Sequence, residues 1–106
     1  MSEKTEMLDL AIKALKANRL KYIHLPNRLF QKNPYPLLKH FPDLTFAYKG
    51  KTYMREYGLP GNNKERKVKQ FQYMKEWNEQ GVNIAMIYSQ QDLLKDFEQI
   101  GLINGN

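Results

Sequence analysis

The stretch from Phe41 to Gln70 reads FPDLTFAYKGKTYMREYGLPGNNKERKVKQ, and it decides the fold. Two strand-like runs flank Lys49-Gly50, and a residue-Gly pair between such runs favours a β-hairpin with a tight primed turn. With Lys49-Gly50 as the loop, pairing across the hairpin places Asp43 opposite Glu56. Like charges in that position are destabilising. A divalent cation between the two carboxylates would remove the repulsion, so the register predicts a metal site.

Alternation along the hairpin also assigns its two faces, because successive side chains of a strand point to opposite sides. Phe46 falls opposite Tyr53 as an aromatic cross-strand pair. Met54 and Glu56 fall on the other face, together with Asp43. The hairpin therefore predicts one apolar face and one partly polar face that carries the carboxylates.

The remainder of the chain alternates between helical and strand patterns. In chain order, we predict a helix over 2–18, a strand over 20–25, hairpin strands over 44–48 and 51–57, a helix over 62–80, a strand over 82–88 and a helix over 90–99. The strand–helix–strand unit after the hairpin is a candidate for a right-handed parallel crossover. The predicted fold class is α/β, a small mixed β-sheet with helices on both faces.

The last two helices carry the clearest boundaries. Gly81 is predicted to end the first of them, and Ser89 is predicted to cap the second. Their inward residues are predicted to be Val68, Phe71, Tyr73, Met74 and Trp77, and then Leu93, Leu94 and Phe97. Gln70 lies on the same side as the last three residues of the first set.

Length and composition bound the class of protein. The 106 residues fit a single domain, residues 1–106, and 42% hydrophobic with 26% charged residues is ordinary for a globular chain. No apolar run approaches the ~20 residues that span a membrane, and the N-terminus lacks the apolar core of a secretory signal. We therefore predict a cytoplasmic protein with no membrane partner.

The absence of cysteine limits the chemistry of any site. It excludes thiolate ligands and a cysteine nucleophile, and it is compatible with a reducing cytoplasm. Carboxylate, histidine, amide and carbonyl groups remain as ligands, and sites rich in oxygen suit magnesium or manganese.

The net charge of +6 favours a polyanionic partner, most often nucleic acid, although a basic surface also keeps a small protein soluble. The segment 27–40 interleaves Arg28, Lys32 and Lys39 with Phe30 and Tyr35. Such a segment fits a nucleic-acid groove, in which rings stack on bases and cations contact phosphates. It fits equally well a loop whose two rings are held in the core, and both interpretations stay open.

Several of these residues together resemble a known family. Pro42-Asp43, the hairpin, Glu56-Tyr57-Gly58, Gln70 and the helix that ends before Gly81-Val82 resemble the core of PD-(D/E)XK nucleases. The order is most similar to the small VRR-NUC branch of that superfamily, and the resemblance covers residues 41–89. It implies a restriction-endonuclease-like fold.

The resemblance also implies a set of ligands. Asp43 and Glu56 would bind Mg²⁺ or Mn²⁺, and Tyr57 would offer its backbone carbonyl. Gln70 would lie at the same site, and Glu6 of the first helix would support the ligands from outside the coordination sphere.

The implied activity is hydrolysis of phosphodiester bonds by a metal-dependent DNA endonuclease, with branched or flap DNA as candidate substrates. Several similar proteins are stand-alone phage proteins, so a phage or prophage origin is expected. A homodimer would present two sites to branched DNA. The residues expected to contact DNA are Arg28, Lys32, Lys39, Lys64 and Arg66.

Gly58 departs from the family pattern, which has a lysine at this position. Lys67 or Arg66, one helical turn before Gln70, would be the replacement cation. Alternatively, the enzyme works slowly without one, or catalysis is lost. In the last case the fold would bind nucleic acid or serve as a protein-interaction or inhibitor module. Glu56 could also form an ordinary ion pair with Arg55 or Arg66.

Overall fold

The computed structural model describes residues 3–25, 41–58 and 64–103. Its elements are α1 (Glu3–Ala17), β1 (Tyr22–His24), β2 (Leu44–Tyr48), β3 (Lys51–Tyr57), α2 (Lys64–Glu79), β4 (Asn83–Ile87) and α3 (Gln90–Ile100). The sheet order is β1-β2-β3-β4, with antiparallel pairing up to β3 and parallel pairing between β3 and β4. Within the described residues the protein is thus a small α/β fold with a four-stranded mixed sheet and three helices, and this part of the prediction is confirmed.

The hairpin of β2 and β3 has the predicted two-residue loop. Lys49 has φ 50° and Gly50 has φ 81°, both in the left-handed region that a primed turn requires. Phe46 pairs with Tyr53, and their rings stack at 5.2 Å between centroids. The predicted register is therefore confirmed along the whole ladder.

Helices lie on both faces of the sheet. On one face, α1 and α3 pack against alternate residues of the strands in a core of Met7, Ala11, Leu15, Leu44, Phe46, Tyr53, Tyr57, Ile87, Leu93, Phe97 and Leu102. On the other face, α2 packs over a smaller cluster built on Met54, Met74 and Ile84. The second cluster is the one that shares its face with Glu56, because residues two apart in a strand point the same way.

The predicted inward stripe of α2 is wrong at two positions. Val68 and Phe71 are 56% and 49% exposed, whereas Met74 is buried. The helix contacts the sheet along a narrow stripe through Gln70, Met74 and Trp77, and at ~100° per residue the other two side chains rotate away from it. Leu94 of α3 is exposed for the same reason, because the neighbouring Leu93 occupies the inward position.

The boundaries of the last helix follow the predicted capping signals. Ser89 Oγ accepts a hydrogen bond from the Asp92 backbone N–H at 3.1 Å, and Gly101 ends α3 with φ 98°. Gly81 follows α2 with φ 93°. Across the described ranges, no helix has the length and apolar character needed to cross a membrane.

Candidate functional site

Asp43 lies directly before β2, and its carboxylate is buried at the end of the hairpin. The residue is 5% exposed. Its Oδ2 accepts a hydrogen bond from the Tyr57 backbone N–H at 2.9 Å, and its backbone carbonyl accepts one from Leu25 N–H at 3.1 Å. The β2–β3 ladder ends at Leu44, so the Asp43 side chain replaces the backbone as the acceptor for the next N–H of β3.

Glu56 lies on β3 at the position that the register places opposite Asp43. The ladder pairs Leu44 with Arg55, and its continuation by one residue on each strand reaches this pair. Burial raises the pKa of the Glu56 carboxyl to about 9, and a hydrogen bond with Asp43 and the negative charge of Asp43 act in the same direction. The raised pKa favours the protonated form of Glu56, in which the carboxyl can donate a hydrogen bond to Asp43.

One oxygen of Glu56 is left over from that contact. Glu56 Oε1 is buried and has no hydrogen-bond partner in the part of the chain that the structure describes. A buried oxygen without a partner is costly. The site thus holds an unused ligand atom beside a second carboxylate.

Arg55, the residue before Glu56, points to the opposite face of the sheet and is 2% exposed. Its guanidinium donates to Asp96 Oδ2 at 2.7 Å and to Asp96 Oδ1 at 2.9 Å. It also donates to the Asn83 carbonyl at 2.8 Å. The hydrogen bonds of the Arg55 guanidinium therefore go to α3 and β4, and the alternative that Arg55 pairs with Glu56 is wrong.

Lys4, in the first turn of α1, is a member of the site that sequence reasoning missed. Its Nζ lies 3.2 Å from Asp43 Oδ2, and its side chain is 32% exposed. The available signal was helical spacing, because Lys4 precedes Met7, Ala11 and Leu15 on the buried stripe of α1. A lysine at the first position of such a stripe reaches over the end of the sheet.

Gln70 is buried at 8% exposure on the inward side of α2. It lies one helical turn before Met74, which packs against Met54 of β3. Glu56 is two residues beyond Met54 on the same face, and α2 runs back from that end of β3. Gln70 therefore lies on the inward side of α2, over the sheet face that carries Glu56.

The Tyr57 carbonyl is directed toward the same end of the hairpin. In a strand paired antiparallel, the N–H and the C=O of one residue point to the same neighbour. Since Tyr57 N–H points to Asp43, its carbonyl points to that side as well. The backbone oxygen is therefore placed to join the two carboxylates.

The other predicted site residues are not brought to this pair by described contacts. Glu6 is exposed on α1, and in that turn Lys4 is the residue that reaches Asp43. The backbone of α2 includes Lys64, Arg66 and Lys67, whose side chains lie outside what the structure describes, as do Arg28, Lys32 and Lys39 as whole residues.

The donor set fits a hard divalent cation. No group of three or more His, Cys, Asp or Glu side chains that could hold a metal occurs among residues 3–25, 41–58 and 64–103. Two carboxylates and one carbonyl nevertheless suffice for Mg²⁺, which keeps several of its waters and takes one or two carboxylates from protein. The unpartnered Glu56 oxygen is the observation that fits such an ion.

Comparisons with known proteins do not extend the resemblance drawn from the motifs. Neither a family model, nor a curated protein, nor a solved structure matches this chain.

Proposed function

We propose that the protein is a metal-dependent DNA endonuclease that hydrolyses phosphodiester bonds, with branched or flap DNA as its candidate substrates. The observation that carries the proposal is the carboxylate pair of Asp43 and Glu56. At the end of the hairpin Asp43 is buried and Glu56 is half-buried, and Glu56 Oε1 is a buried oxygen without a hydrogen-bond partner among the described residues. The site brings two acids together, and the cation of Lys4 lies beside them, 3.2 Å from Asp43 Oδ2.

The arrangement of the chain supports a restriction-endonuclease-like core. Asp43 precedes β2, Glu56 lies near the end of β3, and Gln70 lies on the helix that returns to β4. The order of these three residues along the elements is the order in the sequence pattern of the family they resemble.

The residues of the chain would divide the work of the reaction among them. Asp43, Glu56 and the Tyr57 carbonyl would hold Mg²⁺ or Mn²⁺, and such an ion lowers the pKa of a bound water and polarises the phosphate. Water adds to phosphorus, and the bond from phosphorus to one sugar oxygen breaks. The products are a phosphate monoester and a sugar hydroxyl. The hydrogen bond from Tyr57 N–H keeps Asp43 in place.

Positive charge supports DNA as the substrate. The chain carries 17 Lys and Arg against 11 Asp and Glu, and α2 presents exposed Lys69 and Lys75. Phosphate contacts of this kind give binding without sequence preference. A homodimer in a bacterial or phage setting would offer two such surfaces to a branched substrate.

A second candidate function is DNA binding or protein interaction without cleavage. The observation that favours it is Gly58, which follows Tyr57 and carries no side chain to stabilise the developing charge. In that case the carboxylate pair would be retained while turnover is lost.

The deciding experiment measures cleavage of supercoiled plasmid and of branched DNA with Mg²⁺ or Mn²⁺. We expect cleavage by the natural protein, and a loss of about 10²-fold or more in Asp43→Asn and Glu56→Gln. The matched controls are Asp9→Asn and Glu98→Gln, two exposed acids on helices, which should cleave at the natural rate.

Binding measurements separate the two candidates. Calorimetric titration with Mn²⁺ should show a site that both Asp43→Asn and Glu56→Gln weaken. DNA binding that falls with salt, without cleavage by either metal at high protein concentration, would reject the nuclease and favour the binding module.

A further inference from the structure

Cleavage at the proposed site needs a positive charge in addition to the metal, because negative charge grows on the phosphate oxygens and on the leaving oxygen. A fixed cation in a site of this kind contributes about 10²–10³-fold in rate. The position next to the ligands, Gly58, cannot supply it. Its backbone N–H is instead occupied by a hydrogen bond to the Ile87 carbonyl at 3.1 Å.

Lys4 brings an ammonium group to this place from a different element. Its Nζ is 3.2 Å from Asp43 Oδ2, the same oxygen that accepts the Tyr57 N–H. Because the Asp43 side chain is only 6% exposed and that of Lys4 is 32% exposed, the cation lies at the mouth of the site. It faces the carboxylates on one side and solvent on the other.

The position of Lys4 within α1 does not serve the helix itself. Cations near a helix N-terminus are unfavourable because the macrodipole is positive there. The stripe that Lys4 begins is otherwise apolar, since Met7, Ala11 and Leu15 are fully buried. A lysine in such a place is held by what it contacts, which is Asp43.

We propose that Lys4 is the catalytic cation of this site, a group that contacts the scissile phosphate and stabilises the charge that develops on it. The assignment rests on the proposed function. It replaces the expectation that Lys67 or Arg66 of α2 fills this role. The ammonium group is suited to it, since it is a compact charge with three donors, of which one is used by Asp43.

The proposal is tested with Lys4→Met, which keeps the aliphatic stem and removes the charge. We expect a fall in the turnover number of about 10²–10³-fold on plasmid DNA. The affinity for Mn²⁺ measured by calorimetry should be preserved or tightened, because the metal ligands are intact. Lys13→Met, an exposed lysine on the same helix, is the matched control and should cleave at the natural rate.

A second substitution, Gly58→Lys, places a positive charge next to the metal ligands when that of Lys4 has been removed. Among the described residues, no atom lies within 4 Å of a Cβ built at position 58, and Gly58 is not among the residues with positive φ. The double variant Lys4→Met/Gly58→Lys should therefore fold. Its turnover number should be at least about tenfold higher than that of Lys4→Met alone. Circular dichroism and thermal unfolding of each variant separate a lost charge from a lost fold.

The outcomes show separately whether the protein is a nuclease and whether Lys4 is its catalytic cation. If the natural protein does not cleave with either metal, the nuclease assignment fails and the role of Lys4 fails with it. If the natural protein cleaves and Lys4→Met cleaves equally well, only the role of Lys4 is rejected. Tighter Mn²⁺ binding with an unchanged rate would mean that the ammonium merely occupies the place of the metal. Absence of rescue by Gly58→Lys would also contradict the proposal.

Discussion

Arg55 and Asp96 are joined by two nearly parallel hydrogen bonds, of 2.7 and 2.9 Å, between β3 and α3. The pair is buried, with side-chain exposures of 2% and 13%. It lies on the sheet face opposite the carboxylate pair, and it fixes the backbone of the residue that precedes Glu56. The positioning of Glu56 therefore depends on a charge pair that the site itself does not touch.

Removal of one partner of this pair should be strongly destabilising. We expect Asp96→Ala to lower the free energy of unfolding by about 3–5 kcal/mol, since it leaves the Arg55 guanidinium buried without its carboxylate. Urea denaturation measures the change. Glu98→Ala on the exposed side of α3 is the control and should shift stability by less than about 0.5 kcal/mol. Equal losses in the two variants would show that the pair contributes nothing.

The stability of the metal-free protein should fall as the pH rises. Burial, followed by the hydrogen bond and charge of Asp43, raises the pKa of Glu56 from 4.5 to about 9 on folding. The folded state then holds one proton more than the unfolded state between these values. The contribution of Glu56 is fully present below pH 4.5 and is lost progressively up to about pH 9, with a slope of at most about 1.4 kcal/mol per pH unit.

Urea denaturation in EDTA at pH 6, 7 and 8 tests this pH dependence. Glu56→Gln cannot ionise, so its stability should vary less with pH than that of the natural protein over the same range. A natural protein that is as stable at pH 8 as at pH 6 would contradict the raised pKa.

Replacing the glycine in the turn between β2 and β3 should destabilise the protein more than replacing Gly58, which follows β3. Gly50 has φ 81°, and a Cβ there meets no atom within 4 Å in residues 3–25, 41–58 and 64–103. Gly50→Ala should therefore cost only the backbone penalty of the left-handed region, about 1–2 kcal/mol. Gly58→Ala, which is equally open but lacks a positive φ, should be neutral or slightly stabilising. Thermal unfolding of the two variants gives the comparison, and a larger loss at position 58 would reject the turn assignment.

Because Met74 faces the sheet and Phe71 does not, truncating the first side chain should destabilise the protein far more than truncating the second. Met74→Ala should cost about 2–5 kcal/mol, because Met74 is buried against Met54 and Ile84. Phe71→Ala should change stability by no more than about 0.5 kcal/mol, since its ring is 49% exposed. Chemical denaturation decides between this stripe and the broader one expected from the sequence.

Local chemistry was sufficient to predict the secondary structure and the hairpin register. The Lys49-Gly50 turn determines which residues of β2 and β3 pair, and Ser89 with Gly101 determines where α3 begins and ends. These signals lie within a few residues of what they control. The pairing of Asp43 with Glu56 follows from the first of them.

The sequence patterns did not predict contacts between elements that are far apart in the chain. Arg55 meets Asp96, and Lys4 meets Asp43, over long separations in the chain that leave no periodic trace. The exposure of Phe71 was missed because α2 has apolar residues around much of its circumference. Which of them faces the sheet depends on how the helix is rotated, and packing sets that rotation.

The short turn of the hairpin also restricts how this protein can vary. A slip of one residue in the pairing of β3 with β2 would move every residue of β3 to the opposite face. Tyr53 would leave the core, and Glu56 would turn away from Asp43 at the same time. The number of residues from 43 to 56 is thus a criterion for finding relatives. A chain that keeps this interval can keep the site, whereas a chain that changes it by one needs a longer turn or a β-bulge to keep both the site and the packing of its sheet.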